Sequence, residues 1–216
     1  VFYLSSCVDR EHSLYGALGS AITKAKNKSA PLLIWLQGGP GYSSLFGLFV
    51  ENGPFHVTKG FKLKKRKYSW TKEYSMIYFD FPIGVGFSFT EHEDGYCKHN
   101  EQCIDDLYNA LQQFYKLFPE MKSNDLYITG QSYGCKFITG LAHKIHNEKN
   151  AGIKLKGLAI GGAFCDPPTH VDHGENLYQF SLIDEKQKQY FDKQRDEIRK
   201  LMNAKIIIML IGNGIH

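Results

Sequence analysis

Apolar residues fall along this chain in two alternating periods. "PLLIWL" (31–36) is a short, continuously apolar run closed by "QGGPG", the form of a strand buried on both faces that ends in a glycine-rich turn. "SMIYFDFP" (75–82), "DLYITG" (125–130) and "LKGLAIGG" (155–162) repeat that form. Between these runs the period becomes helical. Ile104, Leu107, Tyr108, Leu111, Phe114, Tyr115 and Phe118 make an i, i+3, i+4, i+7 stripe that Pro119 closes. Phe137, Ile138, Leu141, Ala142 and Ile145 make a second stripe and predict a helix over "CKFITGLAHKIHN". Buried strands alternating with amphipathic helices predict an α/β fold, with a mostly parallel central sheet flanked by helices.

The pattern changes from Tyr178 onward. "DEKQKQYFDKQRDEIRKLMN" is charged, and its apolar positions Tyr190, Phe191, Ile198, Leu201 and Met202 cover one narrow helical face. The expected organisation is a core over residues 1–177, the start of a helical insertion or lid over 178–202, and a divergent tail over 203–216. The apolar run in that tail, "AKIIIMLIGNGIH", has the form of one more strand.

Composition narrows the function classes. A chain of 216 residues suits one domain, or one domain with an insertion, and can bury a sizeable core. No stretch approaches the roughly 18 to 20 consecutive apolar residues of a membrane span. The opening Val1-Phe2 is not the basic start of a signal peptide, so the chain reads as mature or as a fragment. The net charge of +4 is concentrated in "TKGFKLKKRKYSW" (58–70). That run lacks helical periodicity and is read as a solvated loop or edge hairpin rather than a nucleic-acid patch.

Five cysteines without C-x-x-C argue against a zinc ribbon, and their odd number leaves at least one free or paired outside the chain. "HKIH" and "HVDH" space histidines at i, i+3 without a third ligand at a matching spacing, so surface histidines and no metal are expected. "PIGVGFSF" lacks the third glycine of a dinucleotide fingerprint, and no cofactor is expected. Asn27-Lys28-Ser29 is a glycosylation sequon.

"GQSYG" (130–134) carries the chemistry. G-x-S-x-G between a strand and a helix lifts the serine above the sheet on a sharp turn, which makes Ser132 the candidate nucleophile. The turn also aims the next backbone N–H, that of Tyr133, at the oxygen of a tetrahedral intermediate. A second donor must come from another loop, and the flexible "QGGPG" supplies the N–H of Gly39.

"PLLIWLQGGPGYSSLFGLFVENGPF", "SWTKEYSMIYFDFPIGVGFSFT" and "DLYITGQSYGCKFITGLAHKIHN", followed by "IGGAFCDPPTH" and "LYQFSLIDEKQK", together resemble the serine carboxypeptidases of the α/β-hydrolase fold. Within them the chain is most similar to the vitellogenic-like branch. The likeness runs from about Tyr3 to about Arg199 and implies an exopeptidase acting on peptides with a free C-terminus. It implies an acyl-enzyme on Ser132, oxyanion donors at Gly39 and Tyr133, and a clamp for the substrate carboxylate at Gln37, Gly38, Glu51 and Gln131. It also implies a secretory route to lysosome, vacuole or the cell exterior, and a glycan at Asn27. Neither nucleic acid nor a membrane span is implied.

The chain departs from that pattern in places. The family has Glu where this chain has Gln131, so one titration of the clamp is lost, and Gly134 replaces a small residue. The family order is Ser, then Asp, then His on late strands of the sheet, and the resemblance ends before these arrive. Asp166 follows an apolar strand and is a candidate triad acid by position, and His143, His146, His170, His173 and His216 are candidate bases, although the family places its acid and base on later strands of the sheet. The expectation is an incomplete or inactive form of the enzyme, with the final strands of the sheet missing. A non-catalytic homologue that binds peptide termini or a partner, and an acyltransferase of the same fold, stand as alternatives.

Overall fold

The computed structural model describes residues 2–10, 13–148 and 152–203, with side chains from Gly16 onward. The expected tail strand and His216 lie outside the described residues. Two compact units divide the chain, one through Ala163 and one from Phe164.

In the first unit the strands are β1 (Phe2–Arg10), β2 (Ser13–Thr23), β3 (Leu32–Leu36), β4 (Phe55–Val57), β5 (Leu63–Lys65), β6 (Ser75–Phe79), β7 (Phe89–Thr90), β8 (Leu126–Gln131) and β9 (Leu155–Gly161). A seven-stranded sheet runs β1-β2-β6-β3-β8-β9, with β7 paired to β2. Its four strands β6, β3, β8 and β9 are parallel, with Ile34 level with Ile77 on one side and with Ile128 on the other. The four apolar runs of the sequence are these four strands. The antiparallel hairpin β1–β2 extends the sheet beyond β6. Its sequence, with Ser and Gly interleaved among the apolar residues, carries no continuous run and was not legible as strand.

Helix α1 (Asn100–Leu117) and helix α2 (Gly134–Asn147) match the two stripes. A Cys97–Cys103 disulfide ties down the entry to α1, and Cys135 and Cys165 are disulfide-bonded as well. Side chains alternate across the sheet, as strand geometry requires. Leu32, Ile34, Leu36, Ile77, Phe79, Leu126 and Ile128 join the larger core with Leu107, Leu111, Phe114, Ile138 and Leu141 from the helices. Leu33, Trp35, Met76 and Tyr78 point the other way and form a smaller cluster with Leu48. The basic run supplies the turn and the exposed second strand of the hairpin β4–β5.

The second unit holds α3 (Pro167–His170), α4 (Gly174–Gln179) and α5 (Glu185–Asn203). Helix α5 is the charged stretch, and none of its residues is fully buried. Lys188 pairs with Glu175 of α4, and Arg195 and Arg199 pair with Asp172 in the α3–α4 turn, while Lys188–Asp192 is a pair within α5.

Candidate active site

β8 ends in Gln131 and α2 begins at Gly134, so Ser132 and Tyr133 make the whole connection. Ser132 has φ +54°, in the left-handed region that a non-glycine residue adopts only when its surroundings force it. Those surroundings are specific. A Cβ on Gly130 would stand 2.0 Å from the Leu36 carbonyl oxygen, and one on Gly134 would stand 2.5 Å from the same atom. Only glycine at both positions lets strand and helix close over the end of β3. The Ser132 N–H donates to the Gly161 carbonyl at 3.0 Å, which fixes the turn to β9. The serine side chain stands exposed above the sheet.

The turn after β3 comes up against it. A Cβ on Gly38 would lie 2.6 Å from Ser132 Cβ and 3.1 Å from its Oγ. Gly39 has φ +116°, and neither its N–H nor that of Tyr133 has a protein acceptor among the described residues. Two backbone donors without acceptors among the described residues thus belong to the two turns that meet at Ser132. The loop is braced from beneath: the Gln37 N–H donates to Ser44 Oγ at 3.1 Å, and Ser43 Oγ donates to the fully buried Asp80. Asp80 also accepts from the Phe87 N–H at 2.9 Å. A buried carboxylate needs such partners, and this one ties the β3 loop to the β6–β7 loop.

The four residues expected at the carboxylate clamp divide into two neighbouring groups. Gln131 Nε2 donates to Glu51 Oε1 at 2.6 Å, while Glu51 Oε2 is buried without a partner. Gln37 Oε1 accepts from Trp35 Nε1 at 2.8 Å and is itself buried. Glu51 closes a π-helical turn, Gly47–Glu51. The half-buried Arg66 holds that turn by donating to the carbonyls of Phe49, Gly53 and Phe55. Asn52 accepts from the Tyr78 hydroxyl at 2.9 Å. Burial pushes the Tyr78 phenol well above its ordinary range, against a smaller lowering by Arg66 and with a further rise from Glu51.

Sequence reasoning missed Asp80, Arg66, Asn52 and the Trp35 indole. Asp80 left a signal, a carboxylate inside the apolar run "SMIYFDFP", which predicts a partnered buried charge. Arg66 left none, since it sits among five lysines in the basic run.

Local substitutes for a base gain no geometric support. His143 and His146 are exposed on α2, about 14 Å or more along the helix from the elbow, and His143 shares a hydrogen bond with Asn147. Asp166, His170 and His173 belong to the second unit, where Asp166 begins α3 and His170 stacks on Phe164. Among the described residues the Ser132 hydroxyl has no hydrogen-bond partner. Among them, too, no group of His, Cys, Asp and Glu has the arrangement of a metal site, and no helix is long and apolar enough to cross a membrane.

A family model described as "Serine carboxypeptidase" matches residues 3–206. The probable serine carboxypeptidase CPVL of Homo sapiens is 48% identical over 174 residues, 79% of this chain and 37% of that protein. The venom serine carboxypeptidase of Apis mellifera is 46% identical over 178 residues, 81% and 38% of the two chains. The vitellogenic carboxypeptidase of Aedes aegypti is 43% identical over 187 residues, 86% and 40%. Among solved structures, the prohormone-processing carboxypeptidase KEX1(delta)p of Saccharomyces cerevisiae superposes with a TM-score of 0.80 at 24% identity, covering 94% of this chain and 47% of that one. The chain therefore spans less than half the length of these relatives.

Proposed function

This chain belongs to the serine carboxypeptidase family and has its α/β-hydrolase fold, and from that premise we propose that Ser132 is the nucleophile of a peptidase that removes C-terminal residues from peptides. One observation carries the reading: Ser132 is held at φ +54° between two glycines that no other residue can replace without a clash. In the proposed reaction Ser132 Oγ bonds to the carbonyl carbon of the last peptide bond as its proton passes to a general base. The carbonyl oxygen takes the negative charge and lies between the N–H groups of Gly39 and Tyr133. Collapse breaks the C–N bond, the departing amine takes the proton, and water then cleaves the ester to restore the serine.

Specificity for a free C-terminus rests on Gln37, Gly38, Glu51 and Gln131. The Gln131 amide gives its donor to Glu51 and can turn it to a substrate carboxylate. With Glu51 alone as an acid, the clamp needs fewer shared protons than a pair of carboxyl groups would. The family order of serine, acid and histidine puts the base C-terminal to the elbow. Four disulfide-bonded cysteines and the exposed sequon at Asn27 support a secretory route, with lysosome, vacuole or cell exterior as its end and a glycan on Asn27.

A second reading, binding of peptide termini without turnover, is favoured by the unpartnered Ser132 hydroxyl. A fluorophosphonate probe separates the two. Labelling that disappears in Ser132→Ala, together with release of a terminal residue from free-acid but not amidated peptides, is the result expected of the peptidase. Labelling that persists in Ser132→Ala, or equal cleavage of amidated peptides, overturns it. Absence of labelling, with free-acid peptides still bound, selects the second reading.

A further inference from the structure

The basic run does more than keep a hairpin solvated. Between Thr58 and Glu73 it carries seven Lys or Arg residues against one acid, more than the whole chain's net charge of +4. Three segments fold it around a cavity of about 480 Å³: the end of β2, the start of β4, and the stretch from β5 to Lys72. Lys24, Lys26, Lys65, Arg66 and Lys72 line this cavity together with Thr23. Lys24 pairs with Glu120 at 3.0 Å, whereas Lys26, Lys65, Arg66 and Lys72 have no acidic partner among the described residues. Arg66 spends its donors on backbone carbonyls, which neutralise none of its charge.

Thr23 adds an independent observation. It is 5% exposed, lines the cavity, and its Oγ1 is buried with no hydrogen-bond partner. A buried hydroxyl without a partner is costly, and an anion bound in the cavity that Thr23 lines would supply the acceptor it lacks. Beyond the cavity, Lys62, Lys64 and Lys67 continue the positive charge along exposed chain, and the Tyr68 ring is flanked by Lys67 and Lys72.

We propose that this cavity binds a sulfate ester and that its natural ligand is a sulfated polysaccharide lying along the β5 edge. Nucleic acid offers the same charge, but disulfide-bonded cysteines belong to an oxidising compartment, where polyanions are glycans. The site is separate from Ser132 and does not rest on the peptidase reading.

The test is binding of a heparin dodecasaccharide to the deglycosylated chain near physiological salt, with thermal melts to show that each variant folds. Lys26→Ala/Lys65→Ala/Lys72→Ala is expected to weaken binding about tenfold, and Lys186→Ala/Lys193→Ala/Lys200→Ala, which removes equal charge from α5, less than about twofold. Thr23→Val, nearly isosteric, is expected to weaken binding about threefold without lowering the melting temperature. Equal losses in the two triple variants would mean diffuse charge and overturn the site. Tighter binding of duplex DNA of matched charge, or no heparin binding at about 150 mM salt, where exposed charges more than about 8 Å apart are screened, would overturn the ligand class.

Discussion

The two faces of the central sheet are built from alternate residues of the same strands, yet they differ in kind. Leu32, Ile34, Leu36, Ile77, Phe79, Leu126 and Ile128 meet α1 and α2 in an aliphatic core. Leu33, Trp35, Met76, Tyr78 and Tyr127 face the other way, where the π-helical turn and Trp70 give partial cover. That second face carries polar atoms on its rings, and they hold residues of the proposed clamp and its neighbouring turn: Trp35 Nε1 bonds Gln37 and the Tyr78 hydroxyl bonds Asn52. One face supplies stability and the platform for the elbow. The other gives up close packing and positions polar groups.

The sharpest way to break that comparison is to delete the same atoms from neighbouring residues. Ile34 is fully buried against the helices, while Leu33 borders an open groove with Pro31, Trp70, Tyr74, Tyr127, Thr129 and Ala159. Ile34→Ala should cost about 3 to 4 kcal/mol and Leu33→Ala about 1.5, because a cavity forms in the first case and an existing groove widens in the second. Urea denaturation measures both. Equal costs would show that the second face is packed as tightly as the first.

A second test probes the elbow's dependence on the helix-covered side. Gly130→Ala brings a methyl group against the Leu36 carbonyl and should cost about 2 to 3 kcal/mol. Gly161→Ala, on the same loop-bearing end of β9, meets its nearest atom at 3.9 Å and should stay within about 0.5 kcal/mol. Comparable losses would mean that strand propensity, not the close approach of β3, governs the turn.

Each face also holds one buried tyrosine. Tyr78 has a partner for its hydroxyl, whereas that of Tyr115, on α1, has none. Tyr78→Phe should therefore cost about 1 to 2 kcal/mol, and Tyr115→Phe should be neutral or slightly stabilising. Burial raises both phenols above their ordinary range. A raised folded-state value means stability is intact below the unfolded value near 10 and falls as pH rises beyond it, by up to about 1.4 kcal/mol per pH unit for each group. Denaturation at pH 9 and 10.5 should show that fall, smaller in either Phe variant. An unchanged slope in Tyr115→Phe would mean that its phenol already ionises in the folded chain.

Legibility followed the same division. The helix-covered side was readable because each of its strands is a continuous apolar run and each helix a clean stripe, so fold class, four parallel strands, both helices and the position of Ser132 could be taken from local pattern. The supports of the clamp were not readable. Asn52 and Tyr78 lie 26 residues apart, Arg66 and Phe49 lie 17 apart, and Ser43 and Asp80 lie 37 apart. Nothing in the spacing of such pairs marks them as partners, because the sheet topology alone brings them together. The hairpin β1–β2 was missed for a different reason: a strand that pairs antiparallel at the end of a sheet tolerates Ser and Gly that a central parallel strand excludes.

Gln131 sits where the two faces meet, at the end of β8, and its replacement tests the smallest expected effect. Its amide donates to Glu51 at 2.6 Å, a separation at which two carboxyl groups hold one proton between them. In Gln131→Glu the pair should retain that proton above the unfolded glutamate value near 4.3. Such a raised value adds stability that is complete below that pH and is lost as pH rises through the pair's folded value. The variant should thus match the parent at pH 4 and fall about 1 kcal/mol behind it between pH 5 and 7, screening by solvent reducing the full Coulomb cost. Urea midpoints at the three pH values measure this without requiring turnover. If the chain proves active, its peptidase rate should also decline less steeply from pH 5 to 7 than that of the variant, because the carboxylate clamp of the parent does not depend on the shared proton. Parallel stability curves would mean that the two side chains move apart once both are acids, and that the 2.6 Å contact is made by the amide alone.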